Sequence, residues 1–172
     1  MLNLEFLRPF RTTKRIIMNQ VALTTPKTLL EHWQGHRKIT RAAIELFPED
    51  QLFLFQPAPP MRSFGDLMNE VIGMVPSTMT GAENGDFSWA GLGKITNKTA
   101  LLEAWDANTT LIDEAFKRIP ESRWTQVVSA YNFTQPLSDF ILYLLENEIH
   151  HRAQGYVYLR MLNLEPPFFY PM

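Results

Sequence analysis

No cysteine occurs anywhere in the 172 residues. Disulfides, a thiolate nucleophile and cysteine-held zinc or iron–sulfur centres are therefore excluded, and any metal must be held by imidazole, carboxylate or amide oxygen. Excess charge is also missing. The 16 basic and 18 acidic residues leave a formal charge of −2, which supplies no general field for gathering nucleic acid. No apolar run approaches the roughly 18 residues that a membrane-spanning helix needs. A cytoplasmic chain with neither nucleic acid nor membrane as partner is expected. There is no Ser-His-Asp signature, and Asn84 with the glycines near it does not make a phosphate-binding loop. No motif assigns a catalytic residue.

What the chain does have is apolar and aromatic mass, 45% and 12% of its residues, enough for one real core. The first 17 residues stand apart, with Arg8, Arg11, Lys14 and Arg15 against Glu5 and neither the apolar run nor the cleavage pattern of a leader. Residues 1–20 are expected to be a loose extension without chemistry, with Met18 a second candidate start, and residues 21–172 to be the folded domain.

Periodicity and punctuation predict four helices. Thr25-Pro26 opens the first, whose stripe Leu30, Trp33, Thr40, Ile44, Phe47 stops before Pro48. After the extended link Pro57-Ala58-Pro59-Pro60, Ser63 and Asp66 mark the start of helix 2, with Leu67, Glu70, Val71 and Met74 on its inward face. Pro76 is expected to kink or end that helix, and glycines 81, 85, 91 and 93 to mark an irregular connection. Helix 3 runs from Asn97 to Arg118 with Leu101, Trp105, Ile112 and Phe116 inward. The strand-like segment 123–128 lacks an evident partner and is expected to be a structured loop. Helix 4 starts at Leu137 or Ser138 and runs past Arg160 to Pro166-Pro167. The expected fold is all-α, a four-helix bundle with long irregular connections before and after helix 3.

In helix 4 the apolar stripe Phe140, Leu144, Gly155, Tyr158, Leu162 is interrupted where Asn147 and His151 should continue it. Buried polar groups must satisfy one another or hold something bound. The run Asn147-Glu148-Ile149-His150-His151-Arg152-Ala153-Gln154, followed by Tyr156 to Arg160 and Glu165-Pro166-Pro167, resembles the last helix of the DinB/YfiT-like superfamily. Met61 to Gly73 resembles that family's second helix. The resemblance spans roughly residues 25 to 167 and implies a four-helix bundle with helices 2 and 4 adjacent. It also implies a divalent metal held by one histidine on helix 2 and two, at i and i+4, on helix 4. Here those positions carry Glu70, Asn147 and His151, so two of the three are not histidine.

Glu70, Asn147 and His151 are thus the candidate metal ligands. One carboxylate, one amide and one imidazole make a harder and weaker site than three imidazoles, for manganese, nickel or zinc, with zinc and nickel losing affinity and manganese or magnesium less penalised. The alternative is a buried hydrogen-bond network in which Glu70 accepts from His151 and Asn147 adds a donor. His150 should face the flank of helix 4. His32 and His36 are an i, i+4 pair, but Trp33 between them better defines the buried face, and Arg152 is expected to pair with a carboxylate. Tyr156, Tyr158, Phe168, Phe169 and Tyr170 read as core or dimer contacts.

Two functions follow. One is a metal-dependent enzyme acting on a small-molecule substrate, a hydrolase or a transferase using a low-molecular-weight thiol such as bacillithiol or mycothiol, as the resemblance implies. The other is a non-catalytic, stress-related or ligand-binding bundle with a degenerate centre. The resemblance also implies a homodimer, for which the tail from Pro166 to Met172 is the candidate surface; the same tail can instead fold back on its own bundle.

Overall fold

The computed structural model describes residues 24–88 and 93–171. The proposed N-terminal extension falls almost wholly on residues 1–23, outside the described residues. Four helices form the body: α1 (Pro26–Leu46), α2 (Phe64–Asn84), α3 (Lys98–Arg118) and α4 (Leu137–Met161). A short 3-10 turn and two strands, β1 (Val127–Ala130) and β2 (Phe133–Pro136), lie between α3 and α4. Packing is chiefly α1 on α3 and α4, and α2 on α3 and α4, so α1 and α2 sit on one diagonal of the bundle.

Local chemistry accounts for the helix ends. Thr25 caps α1 in a reciprocal box with Thr28, and Pro26 sits in its first turn, where a missing N–H costs nothing. The Lys98 ammonium donates to the carbonyls of Glu45 and Phe47 at the other end of α1. Ser63 accepts from the Asp66 N–H to start α2, which ends on Gly85 at φ 93, a left-handed position suited to glycine. The first N–H groups of α4 are taken up by loop carbonyls, Leu137 donating to Gln126 and Ser138 to Trp124.

Two sequence expectations are corrected here. Pro76 neither ends α2 nor leaves Gly81 in a loop, because the helix runs on to Asn84. A proline cannot donate to the carbonyl four residues back, and that carbonyl, on Ile72, instead accepts from the buried Asn108 amide of α3 at 2.7 Å. The segment expected to be a partnerless loop supplies a strand: β1 pairs antiparallel with β2, Val127 opposite Pro136 and Ala130 opposite Phe133. Its two-residue turn places Tyr131 and Asn132 at φ 51 and 66, which matches the twist of the flanking strands. The connection after α3 is therefore an ordered hairpin.

The apolar interior is divided along α1 and α4. One cluster holds Leu29, Trp33, Val75, Ile112, Leu137, Ile141 and Leu145; the other holds Ile44, Phe47, Phe64, Leu67, Trp105 and Leu159. Between them, in chain order on α1 and α4, come His36, Arg37, Thr40 and Glu148, His151, Arg152, all buried. A polar layer crosses the waist of the bundle.

Candidate functional site

On the α2–α4 seam the three residues singled out from sequence meet. His151 is buried on α4, and its Nε2 lies 3.0 Å from Oε1 of Glu70, which sits half-buried on α2. The Asn147 amide donates to the same oxygen at 3.4 Å and touches the Met74 sulfur at 3.8 Å. The second carboxylate oxygen, Oε2, accepts from Arg62 at 2.5 Å, in the segment leading into α2. Sequence reading missed Arg62; it lies just ahead of the Ser63 cap, where the chain turns back over the first turns of α2.

Burial alone would raise the Glu70 carboxyl, but the bonds from His151 and Arg62 outweigh it and hold it below the usual range. Burial also pushes His151 down, against the pull of Glu70. The pair is accordingly a carboxylate and a neutral imidazole, with the ring proton on Nε2 donated to Glu70.

This arrangement does not fit a tightly held metal. Coordination through Nε2 would move the His151 proton to Nδ1, and metal-bound histidines almost always donate that second N–H to an acceptor. Nδ1 of His151 is buried with no partner among the described residues, so the N–H would be stranded. Glu70 is already neutralised by a guanidinium, and Asn147 turns its amide hydrogens toward it. Among the described residues no group of three His, Cys, Asp or Glu side chains is placed to hold an ion.

On the other side of α4 lies a second cluster that the sequence only partly signalled. Glu148 is fully buried. It accepts from the Trp33 indole at 3.0 Å and from the Thr40 hydroxyl at 2.6 Å, with the Arg37 guanidinium 3.6 Å away. Arg37 stacks over Trp105 at 3.5 Å and donates to the Trp105 carbonyl and to Thr109. Arg152 does not pair with a carboxylate as expected. It donates to the His36 carbonyl, the Thr40 hydroxyl, Nδ1 of His36 and the Phe169 carbonyl. The carboxylate nearest in sequence, Glu148, is already engaged by Trp33, Thr40 and Arg37.

His36 is buried along with Trp33, although Trp33 was expected to define the buried face in preference to the histidines on either side of it. Burial, then the charges of Arg152 and His32, press His36 from its ordinary value to about 4, so it is neutral. Since Arg152 can only donate to its Nδ1, His36 carries its proton on Nε2 and gives it to Nε2 of His32 at 3.1 Å. Together with the bond from Arg152 it occupies both ring nitrogens of His36, and neither His32 nor His36 bonds to the Glu70 trio. His150 is exposed on the flank of α4, as expected, bonded to Gln154. Tyr156 and Tyr158 are core. The tail folds back, Pro171 packing against Gly35, while Phe168, Phe169 and Tyr170 stay 52 to 62% exposed.

Fold and seam together define an all-α bundle with a polar centre between its second and fourth helices. The chain belongs to the DinB family, whose family model matches residues 18–172. Solved structures agree on the fold. A DinB-like protein from Bacillus subtilis superposes with a TM-score of 0.68 at 17% identity, covering 83% of this chain and 96% of that one. A DinB-like protein from Bacillus cereus gives 0.68 at 18% identity, covering 83% and 95%. A mutant of the mycothiol-dependent maleylpyruvate isomerase gives 0.61 at 12% identity, covering 76% of this chain and 60% of that one. No curated protein matches the chain.

Proposed function

We propose that this chain is a DinB-family protein whose α2–α4 centre works without a resident metal, as a hydrogen-bonding site for a small polar molecule. The observation that carries the reading is the completed network: both Glu70 oxygens are engaged, by His151 and Asn147 on one side and Arg62 on the other, while among the described residues Nδ1 of His151 has no acceptor for the proton that metal binding would place there. Glu70 and Arg62 remain part-exposed, with 35% and 47% of their side chains in solvent, so a ligand has a carboxylate and a guanidinium to engage.

The competing reading is a metal-dependent hydrolase or a low-molecular-weight thiol transferase with Glu70, Asn147 and His151 as ligands to Mn²⁺, Ni²⁺ or Zn²⁺. What favours it is the convergence of those three side chains on one point and the likeness of fold to a mycothiol-dependent isomerase. Elemental analysis of the untagged protein purified without chelator, followed by titration with the three ions beside His151→Ala, separates the two. Binding no stronger than in the variant is expected. Near-stoichiometric binding that vanishes in His151→Ala would establish the metal centre instead.

A homodimer belongs to the same proposal. It is supported by the exposed apolar side chains Val157 and Met161 on α4 and Phe168 and Phe169 of the tail. Light scattering should give twice the chain mass, and Phe168→Ser with Phe169→Ser should halve it.

A further inference from the structure

We propose that a cavity on another face of α4 from the Glu70 seam binds an organic cation with an apolar body, its charged head at the rim that carries Asp139 and Glu146. The cavity, of about 930 Å³, lies between the start of α1, the Trp124 turn and the outer face of the first half of α4. That volume is in the range of small-molecule sites, roughly 300 to 1,000 Å³, and is concave where a protein partner would need a broad surface.

Its walls divide by chemistry. Leu29, Trp124, Leu145 and Ile149 supply an apolar bed, whereas Asp139 and Glu146 stand on the α4 rim. Positions 139, 142, 146 and 149 follow steps of three, four and three along α4, so acid, apolar, acid and apolar side chains share one stripe. The two carboxylates are about two turns apart. On the far side of Leu142 the same two acids line a smaller cavity of about 230 Å³, together with Phe133 and Tyr143, whose rings are 5.9 Å apart. The acids therefore form a ridge with an apolar hollow on one side and aromatic rings on the other. Aromatic faces and carboxylates both favour a cation.

Among the described residues no lysine or arginine neutralises that ridge. Among the described residues neither Asp139 nor Glu146 forms an ion pair, and Asp139 accepts only from the neighbouring Ser138 hydroxyl. Among the described residues no lysine or arginine lines either cavity, and the one basic side chain in the wall of the larger is His32. An apolar hollow edged with unpaired carboxylates selects a hydrophobic amine over a neutral or anionic molecule of the same shape.

Isothermal titration calorimetry with octylammonium, octanol and octanoate at low ionic strength, below their aggregation concentrations, tests this. Octylammonium should bind saturably and about tenfold more tightly than octanol, the sum expected of two part-exposed charge contacts, and octanoate should bind more weakly than either. Asp139→Asn with Glu146→Gln, both at exposed positions, should remove that tenfold advantage while leaving octanol affinity unchanged, and added salt should do the same. Equal affinity for the three probes, an unchanged advantage in the double variant, or no saturable binding of octylammonium would each overturn the proposal.

Discussion

Replacing Glu148 by glutamine tests the polar layer at the waist of the bundle. The side chains of Glu148 and Arg37 are 0% and 1% exposed at 3.6 Å, so the neutral amide leaves the Arg37 charge buried with no opposing charge. Both Glu148 oxygens accept, one from Trp33 and one from Thr40, and the amide nitrogen would either face the Trp33 N–H donor or require the Thr40 hydroxyl to reverse from donor to acceptor. Removing one member of a buried ion pair costs about 3 to 5 kcal/mol. For a domain of this size that lowers Tm by about 6 to 20 °C. Urea unfolding followed by far-ultraviolet circular dichroism reads the loss directly, with Arg37→Met and the double variant completing the cycle. The double variant should be less destabilised than the sum of the single ones by at least about 1 kcal/mol. A loss below about 1 kcal/mol in Glu148→Gln, or strict additivity, would refute the reasoning.

Arg62→Met should free one oxygen of Glu70, raise its carboxyl toward the ordinary range and increase Mn²⁺ affinity over the parent; unchanged affinity by calorimetry would show that the guanidinium does not guard the site. Gly155→Ala should cost about 2 kcal/mol, since its Cβ would fall 2.3 Å from the buried Phe64 ring, and equilibrium unfolding reads that loss. The pH dependence of stability has a fixed sign at His36. Its folded value of about 4 lies below the ordinary value of about 6.5, so the unfolded chain takes up a proton first on acidification. His36 therefore contributes stability that is full above about 6.5 and is lost as pH falls toward about 4. Thermal melts across that window should show Tm falling with pH, and a flatter profile in His36→Gln.

How far the sequence could be read depended on where a residue's partner lay. Thr25-Pro26, Ser63 and Asn97 announce helix starts because a cap bonds within a few residues of itself, and Asn97 indeed accepts from the Ala100 N–H. The interruption at Asn147 and His151 was visible as a break in a periodic stripe. Glu148 was equally visible in principle, four residues after the buried Leu144, yet a charged residue beside a half-buried asparagine gives no sign of which one turns inward. The same limit hid Asn108, whose bond to Ile72 lets α2 pass through Pro76, and the β1–β2 pairing, which needs Tyr131 and Asn132 both at positive φ without a glycine.

By itself, then, the sequence determined the number of helices, their starts, the all-α class and the polar trio on helices 2 and 4, because propensity, capping and side-chain period act over one or two turns. Only the tertiary structure decided what that trio does. Arg62 on Glu70, the missing acceptor at Nδ1 of His151 and the Arg37–Glu148 pair are contacts between separate elements, and their energies depend on burial and distance that no local pattern records.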